Sequence, residues 1–487
     1  MDARVVAGCF RGKTILVTGS TGFLGKLMVE KILRVQPDVK KLYLLVRAPD
    51  VASAEQRILT QVLGKDLFNT LREKHGLAGF QKLIKEKIVP LAGDIGSHNF
   101  RLDNSRADNL CEEIDIIIHG AATTSFYERY DVALATNALG AKYGCEFAKK
   151  CRNLKLLLHV STAFVTGTQD GLLLEKALKM GESLQPGYHL DIEAELELVE
   201  KVKTELTASK SCSSDKSLEK TAMKELGLKR ACHFGWPNVY TFTKAMGEML
   251  LEQHRGDLPV VIIRPTMVTS TFQDPFPGWI EGARTIDAMI VAYTEQAFPC
   301  LVPADMVVNA TLVAMAVHLN EKGQVIYNVC SALENPLTGY LLEDACWDYF
   351  SIYPRVQNGK PLKNKRPYVF KRFALFRAYL ILVYKLPLEM LHAVSLLFCG
   401  LFSQYYNKQN RRYNFLMLLV KLYAPYAFFK GCFDDTNMRR LRMEVKMDGN
   451  ASNIFNFDLK SMDWHSYLLN VHVPAVLKYG RKNKGSV

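Results

Sequence analysis

The chain has 487 residues, of which 48% are hydrophobic and 23% charged, enough apolar material for more than one packed core. Its 11 cysteines are scattered with no C-x-x-C or Cys/His ligand spacing, which excludes a zinc site and a disulfide scaffold and fits reduced thiols with no bound metal. The formal net charge of +13 is confined to one stretch: Tyr349 to Phe433 carries 14 Lys and Arg against a single acid, Glu389. Those basic residues interleave with long aliphatic runs and form no nucleic-acid module, so nucleic-acid binding is excluded. No basic start followed by an apolar run opens the chain, so neither a secretory signal nor an organelle import segment is expected.

Residues Thr14 to Gly25 read TILVTGSTGFLG. Thr14 to Val17 form a short buried strand, Thr18 and Gly19 open a tight turn, and Gly19, Gly22 and Gly25 complete a G-x-x-G-x-x-G run. Phe23, Leu24, Leu27, Met28, Ile32 and Leu33 then recur at helical spacing. A strand, a glycine turn and a helix N-terminus cradle the pyrophosphate of a dinucleotide, because glycines admit the anion close to free N–H groups and the helix dipole favours it. The expected contacts are Thr18, Gly19, Ser20, Thr21, Gly22, Phe23, Leu24 and Gly25. A second strand, Lys41 to Val46, ends at Arg47, where this fold meets the adenosine ribose. A guanidinium there suits a 2′-phosphate and points to NADPH, although Asp50 stands nearby.

Helices are expected between Ser53 and Lys87. The strand Ile88 to Leu91 leads into Gly93, Asp94 and Ile95, an adenine edge contact. The strand Ile114 to Ile118 leads into His119-Gly120-Ala121-Ala122, where Ala121 and Ala122 let the cofactor pack on backbone. Lys155 to Val160 forms the next central strand, ended by Ser161-Thr162-Ala163. A hydroxyl there can donate to a substrate carbonyl, with Thr162 the first choice and Ser161 the second. Leu172 to Phe234 reads as an insert: an amphipathic helix through Ile192, Leu196, Val199, Val202 and Leu206, then a flexible Ser/Lys-rich loop from Thr207 to Lys216, placed to cover a substrate tunnel.

Gly235-Trp236-Pro237 precedes a helix that carries Tyr240 and Lys244 at i and i+4, on one face. An ammonium beside a phenol lowers the phenol pKa and makes Tyr240 a workable proton donor near neutral pH. Val260 to Ile263 is a further buried strand, ending in Arg264-Pro265 beside the nicotinamide. Asn137 is placed to orient Lys244 through water. The region beyond is both apolar and basic: Phe373 to Phe402, then Tyr413 to Phe429. That combination fits an anionic membrane surface or shallow insertion. Glu389 to Lys408 brackets 18 uncharged residues, close to the roughly 20 of a spanning helix, while Pro387 and Glu389 argue against a span that starts earlier.

Together the glycine motif, Ser161-Thr162, the Tyr240/Lys244 pair and Arg264-Pro265 resemble the extended short-chain dehydrogenase/reductase superfamily. GSTGFLG, HVSTAFVTG, GWPNVYTFTKAMGE and VPADMVVNA resemble, more narrowly, the plant branch of the alcohol-forming fatty acyl-CoA reductases, over almost the whole chain. Phe164 departs from the tyrosine of many relatives.

The resemblance implies an α/β fold, a Rossmann-type doubly wound parallel sheet over residues 1–357 with a smaller, mainly helical C-terminal domain over 358–487. It also implies four-electron reduction of a long-chain or very-long-chain acyl-CoA to a primary alcohol with NADPH; the basic apolar region suits the cytosolic face of the endoplasmic reticulum, with the cytoplasm as the alternative. A nucleotide-sugar epimerase or dehydratase would share the cofactor motif and the Tyr/Lys pair but would have no reason for an apolar, basic C-terminal region. An aldehyde-releasing thioester reductase and a non-catalytic NADPH-binding protein are the other readings.

Overall fold

In the computed structural model, the described residues are 1–208, 216–282, 301–354, 372–445 and 454–480, with a few positions between 355 and 371. The strands, in chain order, are β1 (Thr14–Thr18), β2 (Lys41–Val46), β3 (Ile88–Ala92), β4 (Ile116–His119), β5 (Leu156–Val160), β6 (Gly171–Leu173), β7 (Pro259–Pro265), β8 (Met267–Thr269), β9 (Leu301–Pro303), β10 (Gly323–Val329), β11 (Val356–Gln357), β12 (Lys360–Pro361) and β13 (Gly431–Phe433). Seven of them form one sheet in the order β10-β7-β5-β4-β1-β2-β3, with every pairing parallel. Runs such as TILVT and IIIH are buried from end to end, as a sheet covered by helices on both faces requires. The order reverses between β1 and β4, so the carboxyl ends of those two strands open the crevice in which such folds bind ligands.

The helices expected before β3 are present at Val51–Ile58 and Asn69–Lys87, and the insert's amphipathic helix runs from Ile192 to Ala208. Most of the expected Ser/Lys-rich loop, and the expected domain boundary at Asn358, lie outside the described residues.

The C-terminal region is mainly helical and shares a core with the sheet: Tyr426, Phe433, Leu441, Trp464 and Val473 join the cluster built on Ile15, Val17 and Ile118. β13 pairs in parallel with β6 of the insert, and Asn328 Nδ2 donates to the Asp434 carbonyl at 2.8 Å. Two long helices, Phe373–Leu397 and Ser403–Ala427, pack as a hairpin.

The sequence expectation for that hairpin needs correction in two places. Pro387 does not stop the helix, because the π-turn Ile381–Lys385 just ahead of it widens the helix and accommodates the ring. The uncharged run from Met390 to Asn407 is not one helix. It breaks between Phe398 and Phe402, where Cys399 (φ 51°) and Gly400 (φ 85°) are left-handed.

Candidate active site

The glycine turn is shaped by contacts that no side chain could survive. Gly19 has φ +78°, and a Cβ there would lie 2.6 Å from Ala121 N; a Cβ on Gly25 would lie 2.2 Å from the Gly19 carbonyl oxygen. The turn is thereby pressed against the end of β4, where Ala121 N donates to Thr18 Oγ1 at 3.2 Å. Gly22 caps the helix Phe23–Val35 with no side-chain bond to its first amides, which leaves those N–H groups for an anion. The residues fit a dinucleotide pyrophosphate.

Above this turn lies a cavity of about 880 Å³. Its walls include Thr18, Gly19, Thr21, Gly22, Phe23, Leu24, Gly25, Arg47, Asp94, Ile95, Ala121, Ala122, Thr162, Tyr240 and Pro265, so most of the sequence-predicted residues meet in one place. Arg57, which sequence reasoning missed, stands beside Arg47 and donates to its carbonyl. Asp50 is committed elsewhere: it caps the helix Val51–Ile58 by accepting from Ser53 N at 2.7 Å, and that bond holds its carboxyl below the usual carboxylate range.

Tyr240 and Lys244 sit on the helix Val239–Arg255, which starts where Asn238 accepts from Thr241 N at 3.0 Å. Lys244 is fully buried. Its Nζ donates to the Val160 carbonyl at 2.8 Å and lies 3.2 Å from His159 Nε2. Burial pushes its ammonium down to about 8, partly countered by Glu248. At the end of β5, the Thr162 hydroxyl bonds only at the long limit, 3.4 Å to the Pro265 carbonyl and 3.4 Å from Phe164 N. Ser161 contributes to the same wall, but its hydroxyl points away and donates to Glu248. Adjacent strand residues face opposite sides.

Three expected contacts take other roles. Arg264 does not reach the cavity: it is fully buried and pairs with Glu248, Nε to Oε1 at 3.0 Å, while also donating to the Lys176 carbonyl at 2.9 Å. A charge on a strand covered on both faces needs such a partner, and removing one member of a buried pair costs about 3–5 kcal/mol. The Ser20 side chain is buried under the turn and is absent from the cavity wall. The direct bonds of Asn137 hold a loop: its Oδ1 accepts from Thr123 N at 3.0 Å, and its Nδ2 donates to the Thr123 carbonyl at 3.1 Å and to Thr243 Oγ1 at 3.0 Å.

The far wall comes from the C-terminal hairpin. Leu422, Tyr423 and Tyr426 line the cavity, and Phe126 stacks on Tyr240 (ring centres 6.2 Å apart) and on Tyr426 (5.1 Å) and meets Tyr423 at a tilt (5.4 Å). Tyr426 accepts from Asn238 Nδ2 at 2.5 Å, and Phe164 packs edge-on against its ring at 4.8 Å. A phenylalanine at position 164 thus belongs to an apolar aromatic cluster. The insert lines no part of this cavity among the described residues; its helices pack behind the helix Val239–Arg255, with Val199 and Met223 in one cluster with Phe242 and Leu422. None of these aromatic contacts was legible beforehand, because each joins segments far apart in sequence.

The sheet order and the glycine cradle define a Rossmann-type dinucleotide-binding protein. The family model described as Male sterility protein, NAD-binding, matches residues 17–319, and a second model, also described as Male sterility protein, matches residues 383–483. The chain is 47% identical to fatty acyl-CoA reductase 1 of Arabidopsis thaliana over 96% of its length and 97% of the relative's. It is 45% identical to the alcohol-forming fatty acyl-CoA reductase of Simmondsia chinensis, with the same coverage. The chain belongs to the fatty acyl-CoA reductase family. Its fold is also that of the reductase domain of a nonribosomal peptide synthetase from Mycobacterium tuberculosis, which is 19% identical with a TM-score of 0.53 over 96% of both chains.

Proposed function

We propose that this protein reduces long- or very-long-chain fatty acyl-CoA to the primary alcohol through an aldehyde, with two NADPH per product, for wax or related lipid synthesis. The observation that carries the reading is the single cavity whose one end is the glycine cradle and whose other end is the apolar, aromatic wall of Phe126, Leu422, Tyr423 and Tyr426. The bound reduced nicotinamide supplies hydride. Thr162 and Tyr240 are the donors that hold the developing oxyanion, Tyr240 gives the proton that completes the alcohol, and the Lys244 ammonium stabilises the phenolate left behind. The test is product analysis: alcohols identified by mass spectrometry, with two NADPH oxidised per coenzyme A released. One NADPH per coenzyme A, with aldehyde accumulating, would make it an aldehyde-releasing reductase.

NADPH selectivity is assigned to Arg47, with Arg57 as its neighbour. A guanidinium-to-phosphate bond is worth about 1.5–3 kcal/mol. Arg47→Ala is therefore expected to weaken NADPH roughly tenfold to a hundredfold, with NADH nearly unchanged, by fluorescence titration. Equal losses for both cofactors would remove the assignment.

Residues 1–357 are taken as the reductase domain and 358–487 as the C-terminal domain, which docks on the cytosolic face of the endoplasmic reticulum. The helix Phe373–Leu397 contains an 18-residue stretch of mean hydropathy 1.6, of which only 11% is buried, and the hairpin tip exposes Leu396, Leu397 (80%), Phe398 and Leu401 (75%). The tip lies about 35 Å along the second helix from Tyr426, so shallow insertion of the tip leaves the catalytic cavity outside the bilayer. Replacing Leu396, Leu397 and Leu401 by serine is expected to lower binding to anionic lipid vesicles by at least about a hundredfold, at some 1.5–3 kcal/mol per leucine. Undiminished co-sedimentation would place the contact elsewhere.

A further inference from the structure

Two buried histidines stand behind Lys244, and neither has a part in the chemistry above. His119 ends β4 and His159 lies on β5, directly opposite each other in the parallel register. Their ring planes are nearly parallel (14°), with the ring centres 5.1 Å apart and Nδ1 of one 3.0 Å from Nδ1 of the other. His159 Nε2 lies 3.2 Å from Lys244 Nζ. Both rings are buried, and burial together with the Lys244 charge pushes them far down, His119 to about 3. They are therefore neutral.

One proton arrangement satisfies all these contacts. The Lys244 ammonium has no acceptor role, so it donates to His159 Nε2, which must be unprotonated. The His159 proton then sits on Nδ1 and is donated to His119 Nδ1. His119 keeps its own proton on Nε2, on the side of Gly144, where an added Cβ would come within 3.5 Å of that nitrogen. His119 thus fixes the tautomer of His159, and that tautomer offers Lys244 an acceptor.

We propose that His119 and His159 are positioning residues for the reduction, a two-imidazole chain that holds Lys244 as an ammonium beneath Tyr240. The inference rests on the assignment of Tyr240 and Lys244 under Proposed function. The other groups around Lys244 are accounted for. On its own helix Tyr240 lies one turn before and Glu248 one turn after. Glu248 is bound to Arg264 of β7 and to Ser161. The π-turn packed on this helix presents uncharged Asn137, bonded to Thr243.

Loss of the acceptor disfavours the charged form of Lys244, so its pKa falls. The charged form is the working one and is lost as pH rises through that pKa, so the alkaline limb of the kcat profile moves to lower pH. His119→Leu and His159→Leu are each expected to move that limb down by about one pH unit, with NADPH affinity unchanged. His159→Gln, which keeps an acceptor near the Nε2 position, and His119→Asn, which keeps one at Nδ1, are expected to return it toward the unsubstituted profile. Nitrogen-15 NMR of histidine-labelled protein gives a readout that needs no turnover. His159 is expected in the Nδ1–H tautomer and His119 in the Nε2–H tautomer from pH 6 to 8.

An unmoved limb in folded leucine variants, or titration of either ring near its ordinary pKa, would overturn the proposal. If Tyr240→Phe retained turnover, the assignment beneath it would fail instead, whatever the tautomers.

Discussion

Tyr240→Phe is expected to lower kcat by about 10³-fold for both the acyl-CoA and the free aldehyde, while NADPH binds within about threefold of its original affinity. The size follows from what one positioned proton donor contributes, roughly 10²–10⁴-fold. The selectivity follows from the packing. The ring of Tyr240 is held by its stack on Phe126 and by its place on a helix whose next four residues are buried, so deletion of one oxygen leaves the wall of the cavity in shape. The companion change Thr162→Val is expected to cost about 10²-fold, as removal of one oxyanion donor does. The double variant should fall short of the product of the two, because both hydroxyls serve the same oxygen. Steady-state rates, a cofactor titration and a melting curve on each variant make the check. Turnover retained by Tyr240→Phe would remove it as the acid.

The parts of the site that lie along the chain were legible in the sequence. Strands buried on both faces leave continuous apolar runs, a turn that must approach an anion leaves glycines at fixed spacing, and two residues on one helical face stand four apart. Gly19, Gly25, Tyr240 and Lys244 were found on those grounds. Residues whose role is set by a distant partner were not. Arg264 reads as a strand-end contact until Glu248, 16 positions earlier, is seen to hold its guanidinium. Ser161 and Thr162 are equivalent hydroxyls until the pleat sends one toward Glu248 and the other to the cavity. Phe126, Tyr423 and Tyr426 are ordinary aromatics in their own segments and become a wall only when the C-terminal hairpin packs on the start of the helix Val239–Arg255.

That hairpin also explains why the basic, apolar region belongs to the same protein as the cofactor site. The helix that lines the cavity through Leu422, Tyr423 and Tyr426 begins just after the exposed apolar tip. One helix therefore joins the exposed apolar tip to the wall of the cavity.

Gly25→Ala is expected to abolish measurable NADPH binding, a loss of at least about a hundredfold, in a protein that still melts cooperatively. Alanine is a better helix former than glycine by about 1 kcal/mol, so local propensity alone would favour the change, and the helix Phe23–Val35 is expected to persist. The obstruction is spatial. The new methyl would stand 2.2 Å from the Gly19 carbonyl oxygen and 3.0 Å from Ser20 Cα, both backbone atoms of the turn that faces the anion. The turn cannot retreat, because Gly19 is already packed against Gly120 and Ala121 at the end of β4. Relief must come from lifting the turn into the space where the pyrophosphate lies, and the amides of the helix N-terminus lose their aim as it moves. Gly22→Ala provides the control: its Cβ meets only the Gly19 carbonyl oxygen at 3.2 Å, a contact that a shift of a few tenths of an ångström relieves, so a much smaller loss is expected. If Gly25→Ala bound NADPH as tightly as Gly22→Ala, the pyrophosphate would not lie over this turn.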